Sequence, residues 1–379
     1  MADTRVKQRR EDRQSAFDYS LLLITMCLIG FGMLMIYSAS SYTAQVRFNN
    51  SAYFLKKQAF GVALGLVAMF FVSRIPYQWY LKPIFIFRFR VITRLYFLAA
   101  FLQILVLFIG KEINGAKRWI SIAGITFQPS EITKIVVIFV AAYFIQMRPN
   151  EMSNIKGLIR VFIPCGILIF FVALENLSTA IVVAAITLGM CFVAAKKKTL
   201  YLVFGSAMTA IALMYVKFGE GFRAERFEIW RNVETHPKGY QILQGLYAIA
   251  SGGLFGSGLG KSMQKLGFIP ESHNDMIFSI ICEELGLFGA GIVLLMFIIM
   301  LWRILTIAMK APDLFSSLIC VGVMLHIAVQ VLLNVAVVTN TLPSTGVPLP
   351  FISYGGTSVM ILMAEIGIVL GISSKCKST

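Results

Sequence analysis

The chain has 379 residues, of which 58% are apolar and only 14% are charged. A soluble globular domain is nearer half apolar and a quarter charged, so that class is excluded. The net charge of +16 would suggest nucleic acid in a water-soluble protein; in a chain this apolar it follows instead from basic residues gathering on the cytoplasmic side of a membrane beside anionic headgroups, and no nucleic-acid partner is expected.

A basic segment, MADTRVKQRREDRQ, precedes the first apolar run, DYSLLLITMCLIGFGMLMIYSAS. The run is too long for the hydrophobic part of a secretion signal, so it is expected to remain as a first span with the N-terminus inside. Apolar windows of spanning length recur at 17–40, 58–75, 92–110, 127–146, 159–174, 177–195, 199–217, 276–302, 314–339 and 351–372. They predict an all-α polytopic membrane protein of about ten transmembrane helices. One long extracytoplasmic loop, 218–275, separates helices 7 and 8. The expected organisation is a cytoplasmic basic tail at 1–16, one membrane domain at 17–372 and a second cytoplasmic tail at 373–379. The windows 159–174 and 177–195 are parted only by Glu175-Asn176-Leu177-Ser178-Thr179, read as a turn.

Charge supports this topology. The segments assigned to the inside carry Arg5 to Arg13, Arg74, Lys82, Arg88, Arg90, Arg94, Arg148, Lys156, Arg160, Lys196 to Lys198, Arg303, Lys310, Lys375 and Lys377. The short outer loops carry only Arg47, Lys56, Lys57, Lys111, Lys117 and Arg118, as the positive-inside rule requires. Cys27, Cys165, Cys191, Cys282 and Cys320 fall in spans and Cys376 in a tail, so no disulfide framework is expected.

Four outer stretches depart from generic lipid-facing helix. In GKEINGAKRWISIAGITFQPSEITK (110–134), Asn114-Gly115 is a turn signal and Pro129 suits the start of a helix. Glu131 and Lys134 stand three apart on one helical face and can pair. Trp119 could equally be an interfacial aromatic anchor. In the long loop, Arg223, Arg226 and Arg231 alternate with Glu220, Glu225 and Glu228, which reads as a solvated helix. The loop then turns glycine-rich through GSGLGKSMQKLGFIPESHNDMIF. It lacks the spacing and preceding strand of a P-loop, but its glycines would let backbone N–H groups approach an anion, with Lys261 and Lys265, four apart, projecting together.

Asp275 opens the eighth span, and Glu283 lies eight residues on, about 80° around a helix, so both can address one cavity. Acids at membrane depth face a bundle interior or a wet cavity. The fourth stretch, TLPSTGVPLPFISYGGTS (341–358), is irregular backbone that protein or a cavity must solvate. His326, on an apolar helix, reads as a packed, hydrogen-bonded histidine.

GAKRW with QPSE, GLGKSMQKLGFIPESHNDMIFSIICEELGLFG, and LPSTGVPLPFISYGGTS together resemble the SEDS family of bacterial cell-wall polymerases, in its division and sporulation branch more than its elongation branch. The resemblance covers nearly the whole chain. It implies a ten-span glycosyltransferase of the bacterial cytoplasmic membrane, with both termini cytoplasmic, that polymerises lipid II, a disaccharide-peptide on undecaprenyl diphosphate. A class B penicillin-binding protein transpeptidase and other divisome proteins are the implied partners. It maps the family's essential aspartate onto Asp275, its tryptophan onto Trp119 and its EELG acid onto Glu283. The family's PDLGTA turn reads ENLSTA here, so Asn176 stands where relatives carry an acid.

Such a reaction needs a base for the acceptor hydroxyl and positive charge for the departing diphosphate. Asp275 is the expected catalytic base. The expected substrate-binding residues are Lys56, Lys57, Lys117, Arg118, Trp119, Ser130, Glu131, Lys134, Lys261, Gln264, Lys265, Glu271, His273, Glu283 and Ser353. No metal-ligand motif is present; a Mg or Mn ion bridging Asp275 and the diphosphate, with His273 in support, is one way to supply charge. A lipid II flippase would spread its essential charges through the bundle core, and a non-catalytic scaffold would not need Asp275 at all.

Overall fold

In lipid, backbone polar groups must be satisfied within the chain, so apolar runs of this length form helices. The computed structural model describes residues 17–83, 90–113, 116–122, 125–218 and 222–376. The basic tail at 1–16, Arg88, the Asn114-Gly115 turn, Glu220 and Lys377 lie outside the described residues, as does the side chain of Lys117.

Nine helices among the described residues are long and apolar enough to cross a membrane. They are α1 (Tyr19–Phe48), α2 (Tyr53–Arg74), α3 (Val91–Ile109), α4 (Pro129–Met147), α5 (Ile155–Glu175) and α6 (Leu177–Ala194), then, following α7 (Thr199–Phe218), α8 (Phe222–Arg231) and α9 (Tyr240–Gly252), the helices α10 (Ile277–Lys310), α11 (Leu314–Val338) and α12 (Gly356–Ser373). The expected seventh span is also a helix, α7 (Thr199–Phe218), but its described apolar stretch runs only from Thr199 to Ala210. The long loop contains α8 (Phe222–Arg231) and α9 (Tyr240–Gly252). The turn between α5 and α6 falls at Asn176, whose side-chain oxygen accepts from the Thr179 amide at 3.2 Å and caps α6.

α4, α11 and α12 are the most buried helices and form the bundle centre. α12 lies chiefly along α2, where small residues let the backbones meet: a Cβ on Gly61 would lie 2.6 Å from the Gly356 Cα.

The helical bundle carries one small sheet beside its helices. Three short strands, β1 (Lys111–Ile113), β2 (Ala116–Ile122) and β3 (Ile125–Phe127), form an antiparallel sheet. Ile113 pairs with Ala116 on either side of the Asn-Gly turn signal, and Ile120 pairs with Phe127. Alternating β-branched and aromatic residues in ITF and RWISI favour this hairpin chemistry.

Candidate active site

Two irregular segments meet at the start of α10. Residues 341–355 contain three prolines and cannot satisfy their own backbone by regular pairing. They find partners in 272–276: the Tyr354 amide donates to the His273 carbonyl at 2.9 Å, and Ser353 Oγ donates to the Asn274 carbonyl at 2.8 Å. Asn334 of α11 closes the junction, its Nδ2 donating to the carbonyls of Asp275 at 2.8 Å and Val347 at 2.9 Å. Gly346, at φ +67°, stands against the Asp275 carboxylate, and a Cβ there would lie 3.8 Å from Oδ2. The sequence motifs around Asp275 and Ser353 are therefore one site.

Asp275 is half-buried. Burial raises its pKa above the ordinary carboxylate value, and the charge of Glu271 adds to the rise; nearby amides and Arg226 pull the other way. Desolvation leading over the opposing charges is how a carboxylate becomes a better base. Glu271 is exposed, at φ +51°, and accepts from Asn274 Nδ2 at 2.7 Å. His273 is buried between Phe54, with ring centroids 4.2 Å apart, and Tyr354, at 5.3 Å. Burial and, secondarily, Arg47 push its pKa down to about 4, so it is neutral at neutral pH.

Among the described residues, Arg226 is a cation brought into the electrostatic range of Asp275. The apparently solvated helix α8 is docked onto the proline-rich segment: Arg226 Nη1 donates to the Ser344 carbonyl at 3.1 Å and Trp230 Nε1 to the Asn340 carbonyl at 2.9 Å. Arg118, on β2, donates through Nε to the Glu175 carbonyl at 3.2 Å, and its charge reaches Arg226. Burial lowers the proton affinity of both guanidiniums, and both stay charged because arginine begins so high. Trp119, beside Arg118, is half-buried; Lys56, Lys57 and Lys261 are exposed, with Lys57 Nζ 4.5 Å from the centroid of the Tyr53 ring.

The glycine-rich loop has a task different from the one its sequence suggested. Gly286 breaks α10 at φ +69°, and residues 253–258 fill the break. The amides of Leu287 and Phe288 donate to the carbonyls of Gly253 and Leu254, while those of Ser257 and Gly258 donate to the carbonyls of Glu283 and Glu284. Glycine is required for the approach: a Cβ on Gly252 would lie 1.9 Å from the Cys282 carbonyl oxygen. The Glu283 carboxylate accepts from Ser262 Oγ, from the Met263 amide at 2.8 Å and from the Gln264 amide at 3.4 Å. The anion these amides hold is the protein's own Glu283 carboxylate. Nor do Lys261 and Lys265 project together: Lys265 is buried against Glu284, Nζ to Oε1 2.8 Å, and Ser38 Oγ, 3.0 Å.

Two further polar groups lie deeper. Glu131 pairs with Lys134 at 2.8 Å, as their spacing predicted, and accepts from Ser358 Oγ at 3.0 Å; neighbouring Ser130 is buried. His326 is packed and hydrogen-bonded as expected, with Nδ1 2.8 Å from Glu365 Oε2. Sequence reasoning missed Arg226, Asn334, Gly346 and Glu365. The glycine and asparagine lie in or beside the proline-rich signature and were readable there. Arg226 was hidden by a charge pattern typical of a wet surface.

The described side chains contain no group of three or more His, Cys, Asp or Glu placed to hold a metal ion. Asp275, Glu271 and neutral His273 do not make a divalent-cation cage by themselves.

The family described as Cell cycle protein (FtsW, RodA, SpoVE) matches residues 19–378. A probable peptidoglycan glycosyltransferase FtsW of Trichlorobacter lovleyi is 37% identical over 376 residues, covering 97% of this chain and 96% of that protein. The stage V sporulation protein E of Bacillus subtilis is 35% identical over 371 residues, covering 95% and 98%. Among solved structures, one described as the structural coordination of polymerization and crosslinking by a peptidoglycan synthase complex superposes with a TM-score of 0.79 at 24% identity, over 95% of this chain and 98% of that one. The rod shape determining protein RodA of Thermus thermophilus superposes with a TM-score of 0.68 at 24% identity, over 96% and 99%. The match over nearly the full length, together with the shared bundle, makes this chain a multi-pass membrane protein of the FtsW/RodA/SpoVE family.

Proposed function

We propose that this protein is a peptidoglycan glycosyltransferase that polymerises lipid II into glycan strands at the outer face of the bacterial cytoplasmic membrane, with both of its termini in the cytoplasm. The observation that carries the reading is Asp275: a half-buried carboxylate of raised proton affinity, set at the end of a membrane bundle and facing Gly346 with Arg226 in electrostatic range. The names of the relatives support it.

The acceptor sugar hydroxyl loses its proton to Asp275 as its oxygen bonds to the donor's anomeric carbon. The bond from that carbon to the lipid diphosphate breaks, and the diphosphate leaves with the electron pair. Attack opposite the leaving group inverts the anomeric centre. Arg226 and Arg118 meet the developing diphosphate charge. His273, neutral and fixed between two rings, shapes the wall. A class B penicillin-binding protein that crosslinks the strands is the proposed partner, within a set of other divisome proteins.

Purified protein with lipid II, alone and with its transpeptidase, tests the reading. Strand formation is expected, and none under either condition would overturn it in favour of a flippase or scaffold.

Arg226→Gln is expected to slow polymerisation about 10²-fold, the scale of losing one charged transition-state contact. A folded variant of unchanged rate but lowered melting temperature would give Arg226 a structural role instead of a catalytic one.

A further inference from the structure

α11 presents a polar stripe the chemistry above does not use. His326, Gln330 and Asn334 recur every four residues, so they climb one face at about 6 Å per step. All three are buried, with 0%, 3% and 1% exposure. At the upper end, Asn334 fastens the backbone of Asp275 and that of Val347. At the lower end, His326 bonds Glu365 of α12, which is itself completely buried. The four side chains also carry polar atoms with no protein partner: His326 Nε2, Gln330 Oε1, Asn334 Oδ1 and Glu365 Oε1. Each such atom left dry costs about 1–3 kcal/mol, which internal water relieves.

The pair also has a mechanical place. α11 and α12 bracket the segment 339–355 that forms one wall of the site. α12 packs mainly along α2, and His326–Glu365 is the side-chain hydrogen bond that joins α11 to α12 among the described residues.

We propose that this stripe is a hydrated, buried arm of the active site, and that His326 and Glu365 are positioning residues. Their bond sets α11 against α12, and Asn334, two turns above, passes that setting to Asp275. The inference rests on the reading of Asp275 as the base.

The test uses the full-length protein in lipid nanodiscs with lipid II, with Asp275→Asn as the control. Glu365→Met is expected to lower kcat about tenfold or more, since small misplacement of a reacting group is costly. KM is expected to stay within about threefold, because the substrate's own contacts are untouched. Glu365→Gln, which keeps an acceptor for His326, is expected to retain at least about a third of kcat. If the pair acts through Asn334, Glu365→Met with Asn334→Ala is no slower than the slower single variant.

A Glu365→Met rate within about twofold of wild type, a Glu365→Gln as slow as Glu365→Met, or fully additive losses would each overturn the proposal. If Glu365→Met does not fold, His326→Phe/Glu365→Met replaces it, because it removes both partners and leaves neither unpaired; the expected kcat and KM are the same. Wild-type polymerisation by Asp275→Asn would instead remove the reading of Asp275 itself. A dead Asp275→Asn beside a normal Glu365→Met would sink only the positioning role.

Discussion

Asp275→Asn is expected to lower lipid II polymerisation by about 10²–10⁴-fold, the contribution of a positioned general base. The amide preserves the shape beside Gly346 and leaves the Asn334 bond to the main-chain carbonyl in place, so the loss belongs to proton transfer. The direction of the pKa shift adds two expectations. Because burial raises Asp275, the acidic limb of the rate profile is displaced upward from the ordinary aspartate value, and activity rises with pH through it. His273, held near 4, contributes no limb near neutrality.

The native state holds the Asp275 proton more tightly than the unfolded chain does. The ionised group therefore costs stability at neutral pH, and that cost is relieved as pH falls through the elevated folded value. Asp275→Asn removes the cost, so its melting temperature is expected to equal or exceed that of wild type. A rate loss with a lowered melting temperature, or full activity below the ordinary aspartate pKa, would contradict this account.

Lys265→Met is expected to give the largest loss of stability. It leaves Glu284, completely buried, without its cation. Breaking a buried ion pair from one side costs roughly 3–5 kcal/mol, whereas replacing both partners by apolar groups is often neutral. Lys265→Met/Glu284→Leu should therefore melt near wild type while the single variant melts well below it. Thermal unfolding in nanodiscs separates the outcomes. A single variant that melts normally but fails to bind lipid II would return Lys265 to the substrate, as its neighbourhood with Lys261 first suggested.

These two sites also show where the sequence was legible. Composition and run length were enough for a membrane bundle, because lipid leaves helices as the economical way to close backbone hydrogen bonds. Period-based reasoning worked where partners are local: Glu131 and Lys134 share one turn, and Asn176 caps the helix beginning next to it. The same logic misread Lys261 and Lys265, because which lysine is buried depends on Ser38 and Glu284, more than two hundred and about twenty positions away. It allowed an anion to approach the glycines, but could not show that residues 253–258 close the break in α10 while the following amides hold the Glu283 carboxylate.

The sequence by itself determined the membrane class, the approximate spans and the acid at the mouth of α10, since each depends on the polarity of consecutive residues and on the expense of charge in lipid. Only the tertiary structure decided which cation approaches that acid, which lysine is held by Glu284, and that a histidine in mid-membrane meets Glu365. Those choices are made by contacts between segments far apart in the chain, where geometry rather than local pattern sets the distance.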